Sequence, residues 1–174
     1  MDTGRQRGKL REFSLQLAER IKAAPQQSAQ PLRLAVRAGS DSFLIDMTAA
    51  GEIVPLPDVV PVPWTRPWFR GLANVRGRLI GVIDVAQLAG RPPLPAEQAR
   101  QLLVFSPALK ADAGILVTRA FGLRNAAELQ ALDAEDRTAP PWERQRYRDL
   151  DGTVLTELDV AQLVTSEAFT HIGT

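Results

Sequence analysis

The chain has 174 residues, with 21 Lys+Arg against 20 Asp+Glu, one His, no Cys and 45% hydrophobic residues. That length allows one domain or two small subdomains sharing a core, and the hydrophobic content excludes wholesale disorder. The lack of Cys excludes disulfides, thiolate catalysis and Cys-ligated metal sites, and a lone His171 excludes two-His metal motifs and counts against a His-dependent triad.

A net charge of +1 supplies no field to steer the chain onto a polyanion. No run approaches the ~18 apolar residues of a membrane span, and the opening MDTGRQRGKLREF has no apolar signal-peptide core. The expectation is a cytoplasmic protein with little catalytic equipment, no cofactor and no direct membrane insertion. Charge is uneven, however. Residues 1–24 carry six basic and three acidic groups, and the other 150 carry 15 and 17. Spread around a helix, those basic groups read as a solvated face rather than a nucleic-acid or lipid anchor.

Leu10, Phe13, Leu17 and Ile21 recur at spacings of 3 and 4, which predicts an amphipathic helix over 8–23, ended by Pro25 and the polar tract Gln26–Gln30. From Pro31 the period shortens to two. Leu32, Leu34 and Val36 alternate with Arg33 and Arg37, and Gly39-Ser40-Asp41 turns the chain into Phe43–Met47. Ile53–Leu56 is a further apolar run. Pro55, Pro57, Pro61, Pro63 and Pro67 then mark a semi-rigid connector. Leu79–Val85, Leu102–Phe105, Ile115–Val117 and Val154–Val160 read as strands. Asn125, with Glu128 three residues on, predicts a short capped helix. The charged stretch 133–149, with Pro140 and Pro141, reads as an exposed loop, and His171 falls in a disordered polar tail. Many short strands with frequent turns predict a mainly β barrel or sandwich.

GRLIGVIDVAQLAG (77–90) and GTVLTELDVAQLVT (152–165) share a glycine and the run DVAQL at an offset of 75. Each reads as a glycine turn, a buried strand, and an Asp opening a helical turn. Two related half-domains follow. Asp84 and Asp159 are the tempting carboxylate pair for acid–base chemistry, but capping explains both without a cleft. There is no Walker-type loop, and Gly71, Gly77 and Gly81 lack the spacing of a dinucleotide fingerprint. No catalytic or metal site emerges. Trp64, Trp68, Phe69 and Arg70 beside Arg66, Arg76 and Arg78 leave a single-stranded nucleic-acid-binding barrel as the alternative reading.

The stretch PWFRGLANVRGRLIGVIDVAQLAG (67–90) resembles the signature of CheW-like coupling proteins of bacterial chemosensory arrays. Its elements are an aromatic pair (Trp68-Phe69), Arg70-Gly71, the Asn74-Val75-Arg76-Gly77 core, an apolar strand and Asp84. FLIDMTAAGEIVPLP (43–57) is similar to the family's paired-strand segment leading to Glu52-Ile53, and GILVTRAFGLRN (114–125) to its second apolar strand, with Val117-Thr118 where that family carries Val-Asp. YRDLDGTVLTELDVAQL (147–163) looks most like the branch serving type IV pilus twitching motility.

The resemblance implies two small five-stranded SH3/OB-like barrels packed side by side over residues 31–165. A helix and linker over 1–30 would precede them and a tail over 166–174 would follow. It implies a non-catalytic adaptor between the cytoplasmic hairpin tip of a chemoreceptor and the regulatory domain of a CheA-type histidine kinase, recruited to membrane-associated arrays through those partners and binding no nucleic acid. On matched positions the receptor-facing residues are Ala50, Glu52, Asn74, Val75 and Arg76, with Gly71 and Gly77 serving turns. Arg76 offers a bidentate fork to a receptor carboxylate; an internal pair with Glu52 is the alternative.

Overall fold

The computed structural model describes residues 32–133 and 138–174, so the predicted 8–23 helix lies outside the described residues. Among the described residues, twelve strands form two six-stranded sheets. Sheet one has the order β10-β11-β12-β2-β1-β9, from β1 (Leu32–Ala38), β2 (Asp41–Asp46), β9 (Arg119–Asn125), β10 (Gln130–Leu132), β11 (Glu143–Arg148) and β12 (Val154–Leu158). Sheet two has the order β3-β7-β8-β6-β5-β4, from β3 (Ala50–Pro55), β4 (Val59–Val60), β5 (Phe69–Val75), β6 (Arg78–Ile83), β7 (Gln101–Phe105) and β8 (Ala113–Val117). Each barrel therefore has six strands rather than the expected five. The additional members are the two- and three-residue β4 and β10, too short to show a period of their own.

Strand periodicity divides the apolar residues among three cores. Within barrel two, Leu102 and Val104 of β7 face Ile80 and Val82 of β6. The alternate residues Leu103, Phe105 and Ile83 point the other way, into the largest cluster, where they meet Leu34, Val36, Phe43 and Ile45 of barrel one. Barrel one encloses the smaller group Ala35, Leu44 and Leu155. One seam between the barrels thus holds more apolar side chains than either interior, and at about 25 cal/mol per Å2 of buried apolar surface it dominates the hydrophobic stabilisation.

The internal repeat extends beyond the segment legible in sequence. Matching the two sheet orders makes β1–β6 equivalent to β7–β12, and each barrel takes its first hairpin from the other repeat. That exchange appears as two parallel pairings, β12 with β2 and β6 with β8, among otherwise antiparallel ladders. Irregularities recur in register. The β3 ladder shifts between Ala50 and Glu52 and the β9 ladder between Ala120 and Gly122, while β5 shifts between Phe69 and Gly71 and β11 between Glu143 and Arg146.

After β6 and β12 come α1 (Val85–Leu88) and α2 (Val160–Thr165). Asp84 caps α1 by accepting from the Gln87 N–H at 3.2 Å, and Asp159 caps α2 from the Gln162 N–H at 2.9 Å. Both aspartates donate their own N–H to a tryptophan carbonyl, Trp68 and Trp142, each at 2.8 Å. Both also meet an arginine two residues past that tryptophan, Arg70 and Arg144. The repeated unit therefore includes Pro-Trp-x-Arg as well as Asp-Val-Ala-Gln-Leu.

Three sequence expectations need correction. Residues 143–148 are a strand, not a loop: Glu143, Gln145 and Tyr147 are half-buried while Arg144, Arg146 and Arg148 are exposed, and high charge masked that alternation. The C-terminal segment is ordered. Ser166 caps α3 (Glu167–Thr170), Phe169 stacks on Trp68 with ring centroids 6.1 Å apart, and Arg66 N–H donates to the Ile172 carbonyl at 2.8 Å. The element after Asn125 is a single 3-10 turn, Ala126–Glu128, with Asn125 accepting from the Ala127 N–H at 3.1 Å.

Candidate interaction site

The hairpin joining β5 to β6 turns in two residues, Arg76 and Gly77, with φ of +51° and +85°. Two consecutive positive φ values mark a type I′ turn, whose twist matches the flanking strands. The Asn74 side chain holds it by accepting from the Gly77 N–H at 2.8 Å. Glycine at the second position avoids the Cβ penalty, whereas Arg76 at the first position carries it. A non-glycine residue in this conformation costs of order 1–3 kcal/mol and persists only where the surroundings determine it.

Gly71 has a different task from the turn expected of it. It lies within β5 at the register shift, with φ +134°, and a Cβ there would come within 2.2 Å of the Val60 carbonyl oxygen. Close approach of β4 to β5 therefore requires glycine.

Arg76 Nη2 lies 3.1 Å from Glu52 Oε2, with the two side chains 79% and 34% exposed. The hairpin tip thus reaches across to β3, and the internal pairing is real. At that exposure it stabilises the fold by less than about 1 kcal/mol, so the guanidinium is held in place without being consumed. Arg78, on the next residue pair of the hairpin, forms an ion pair with Asp112.

Of the five expected contact residues, Glu52, Asn74 and Arg76 reach the surface. Val75 does not, because its side chain belongs to the interior of barrel two. Ala50 is partly buried against the inter-barrel core. Sequence reasoning missed Leu79. It sits directly across the ladder from Asn74 and is 64% exposed, so it adds an apolar contact on the same face of the sheet. No alternation along Arg78–Ile83 marked it, because Ile80 to Ile83 are all buried; the outward direction of Leu79 follows from the hairpin register that sets it opposite Asn74.

Among the described residues there is no cluster of His, Asp and Glu able to hold a metal ion, and no helix long and apolar enough to cross a membrane. Trp68 is core and Phe69 packs against it edge-on, which removes two of the aromatics a stacking surface needs; Trp64 alone stands out, at 86% exposure.

Comparison with known proteins agrees with this architecture. The family model for the CheW-like domain matches residues 33–168. The chain is 33% identical over 89 residues to Protein PilI of Pseudomonas aeruginosa, a match covering 51% of this chain and about half (49%) of that protein's length. It is 24% identical over 124 residues to the chemotaxis protein CheW of Thermotoga maritima, covering 71% and 80%. The crystal structure of the scaffolding protein TtCheW from Thermoanaerobacter tengcongensis shares the fold, with a TM-score of 0.65 at 14% identity over 80% of this chain and 90% of that one. With two exchanged barrels and a family match spanning most of its length, this chain belongs to the CheW-like family.

Proposed function

We propose that this protein couples the cytoplasmic hairpin tip of a chemoreceptor to the regulatory domain of a CheA-type histidine kinase, in a system controlling type IV pilus twitching motility. It carries out no reaction of its own and joins membrane-associated arrays through those partners. The observation that carries the reading is Arg76: a guanidinium displayed on a rigid two-residue turn, inside the family-matched segment, with one exposed carboxylate contact. An adaptor needs a few oriented charges beside an apolar contact, and Glu52, Asn74, Arg76 and Leu79 form such a group. The similarity to Protein PilI supports the pilus assignment.

The test is affinity for a receptor hairpin from the same genome, measured beside pull-down of the kinase regulatory domain. Arg76→Glu places a like charge against a receptor carboxylate, so receptor affinity falls while kinase capture persists. A folded Arg76→Glu protein that binds the receptor unchanged contradicts the assignment.

A further inference from the structure

Barrel two carries a second concave feature, separate from the Arg76 hairpin. A cleft of ≈ 630 Å3 opens between the connection following β3, the strand β5 and the segment leading into β7. Leu56, Val59 and Leu116 give it an apolar lining that is continuous with the barrel core. Its walls are pinned. The Leu56 N–H donates to the Arg100 carbonyl at 3.0 Å and the Arg100 N–H to the Val117 carbonyl at 3.1 Å. Pro57 and Pro61 fix φ on one side. A preformed cleft of this size, with an apolar wall facing charged groups, suits a small molecule that carries both an apolar body and a polar head.

The polar groups specify its chemistry. Arg70 is half-buried, and its acceptor among the described residues is Asp84 Oδ2 at 3.4 Å. That same oxygen already accepts from the Leu94 N–H at 2.8 Å, a better contact. The counterpart Arg144, by contrast, makes two hydrogen bonds to Asp159, at 3.3 and 3.1 Å. Arg70 thus keeps donors for an incoming acceptor, and Arg100 is exposed on the same cleft. Asp58 completes the charged rim and disfavours a second negative charge.

We infer that this cleft binds a small organic monocarboxylate, its carboxylate on the Arg70 and Arg100 guanidinium groups and its apolar body on Leu56, Val59 and Leu116. Guanidinium groups match carboxylates in geometry as well as charge. Inference and adaptor reading are independent, since the cleft shares no residue with the Arg76 site.

The experiment is an amide chemical-shift titration of the full chain with phenylacetate, with neutral phenylacetamide as control. Phenylacetate is expected to give saturable shifts at Val59, Arg70 and Ala99, and phenylacetamide to bind at least about tenfold more weakly. Arg100→Ala weakens phenylacetate by about tenfold and Asp58→Asn tightens it. Ala96→Trp, on an exposed 3-10 turn at the cleft edge, abolishes the shifts while the rest of the spectrum stays native. Absence of saturable shifts, equal binding of the amide, or undiminished binding by Ala96→Trp overturns the inference.

Discussion

The two repeats place an ion pair at the same corner of each barrel, and they use it differently. In barrel two, Arg76 on the β5–β6 hairpin meets Glu52 on β3, and the guanidinium is 79% exposed. In barrel one the charges are reversed. Asp149, following β11, takes Arg124 from β9, with the two side chains 7% and 24% exposed. Arg124 also donates to the Phe121 and Leu123 carbonyls, each at 3.3 Å, and the Asp149 carboxylate accepts from the Leu150 N–H at 2.8 Å. One corner is closed upon itself and the other is left open. At the offset of 75 the counterpart of Arg76 is Asp151 rather than Asp149, so the two corners of the duplicated fold hold their ion pairs at different positions, one closed and one open.

The largest effect is expected at the closed corner. Asp149→Ala leaves the Arg124 guanidinium partly buried without its carboxylate, and breaking a buried pair by removing one partner is strongly destabilising. Because Arg124 keeps some solvent and two carbonyls, the cost is about 2–3 kcal/mol, or roughly 5–10 °C in thermal midpoint for a chain of this size. Calorimetry checks it. A midpoint within a degree of the parent would mean that the corner is not closed energetically, and the contrast between barrels would fail.

At the open corner the effect moves from stability to binding. Arg76→Glu changes folding free energy by no more than about 1 kcal/mol, as expected for an exposed pair. Loss of a desolvated charge contact with a partner commonly amounts to ~2–5 kcal/mol, so receptor-hairpin affinity is expected to fall at least thirtyfold, to about thirty times the parent Kd or beyond. Adding Glu52→Arg restores the internal pair with reversed polarity. If that double variant also recovers receptor binding, the hairpin acts through internal structure and not through contact.

How much of this contrast was legible in the sequence depends on the length scale of the signal. The Asp84 and Asp159 caps were legible because capping is local, three residues from carboxylate to amide. The duplication was legible from DVAQL, which lies within one continuous segment. Exchange of hairpins between repeats was not, because β2 meets β12 across more than a hundred residues and no local pattern encodes which repeat a strand joins. Nor was the Arg124–Asp149 corner, whose acid stands in a charged stretch that reads as loop. At the candidate site, Asn74, Arg76 and Gly77 were marked by the turn they build, whereas the inward direction of Val75 and the outward direction of Leu79 depend on hairpin register. That register follows from a turn of two residues, a geometric fact more than a compositional one.

The hairpin tips themselves offer a finer comparison. Gly77 and Gly152 both have φ +85°, and a Cβ at either would meet nothing within 4 Å. Substitution by alanine therefore tests backbone conformation alone, without steric overlap. Gly77→Ala and Gly152→Ala are each expected to cost about 1 kcal/mol, measured by urea unfolding. Gly77→Ala should additionally weaken receptor binding, since it disturbs the turn that presents Arg76, while Gly152→Ala should leave it unchanged. Equal loss of binding in both would make the two corners functionally equivalent.

The smallest effect separates the tips by pH. Asp151, in the longer β11–β12 connection, accepts from the Thr153 N–H at 2.9 Å, and that bond, with the Thr153 side chain, holds its carboxyl below the usual carboxylate range. A depressed folded pKa means that the folded state binds the proton less readily than the unfolded chain. The stabilisation is therefore complete above the ordinary carboxylate range and disappears as pH falls through the lower folded value. The β5–β6 turn residues Arg76 and Gly77 carry no carboxylate of their own; the nearby Glu52 meets the Arg76 guanidinium, while the Gly77 N–H donates to the Asn74 amide oxygen. Acid titration followed by amide NMR is thus expected to move Thr153 at a pH below that of a free aspartate while Gly77, held by the neutral Asn74 amide, stays still. Asp151→Asn abolishes the Thr153 titration without altering Gly77. A Thr153 midpoint at the ordinary aspartate value would show that the bond is too weak to distinguish the two turns.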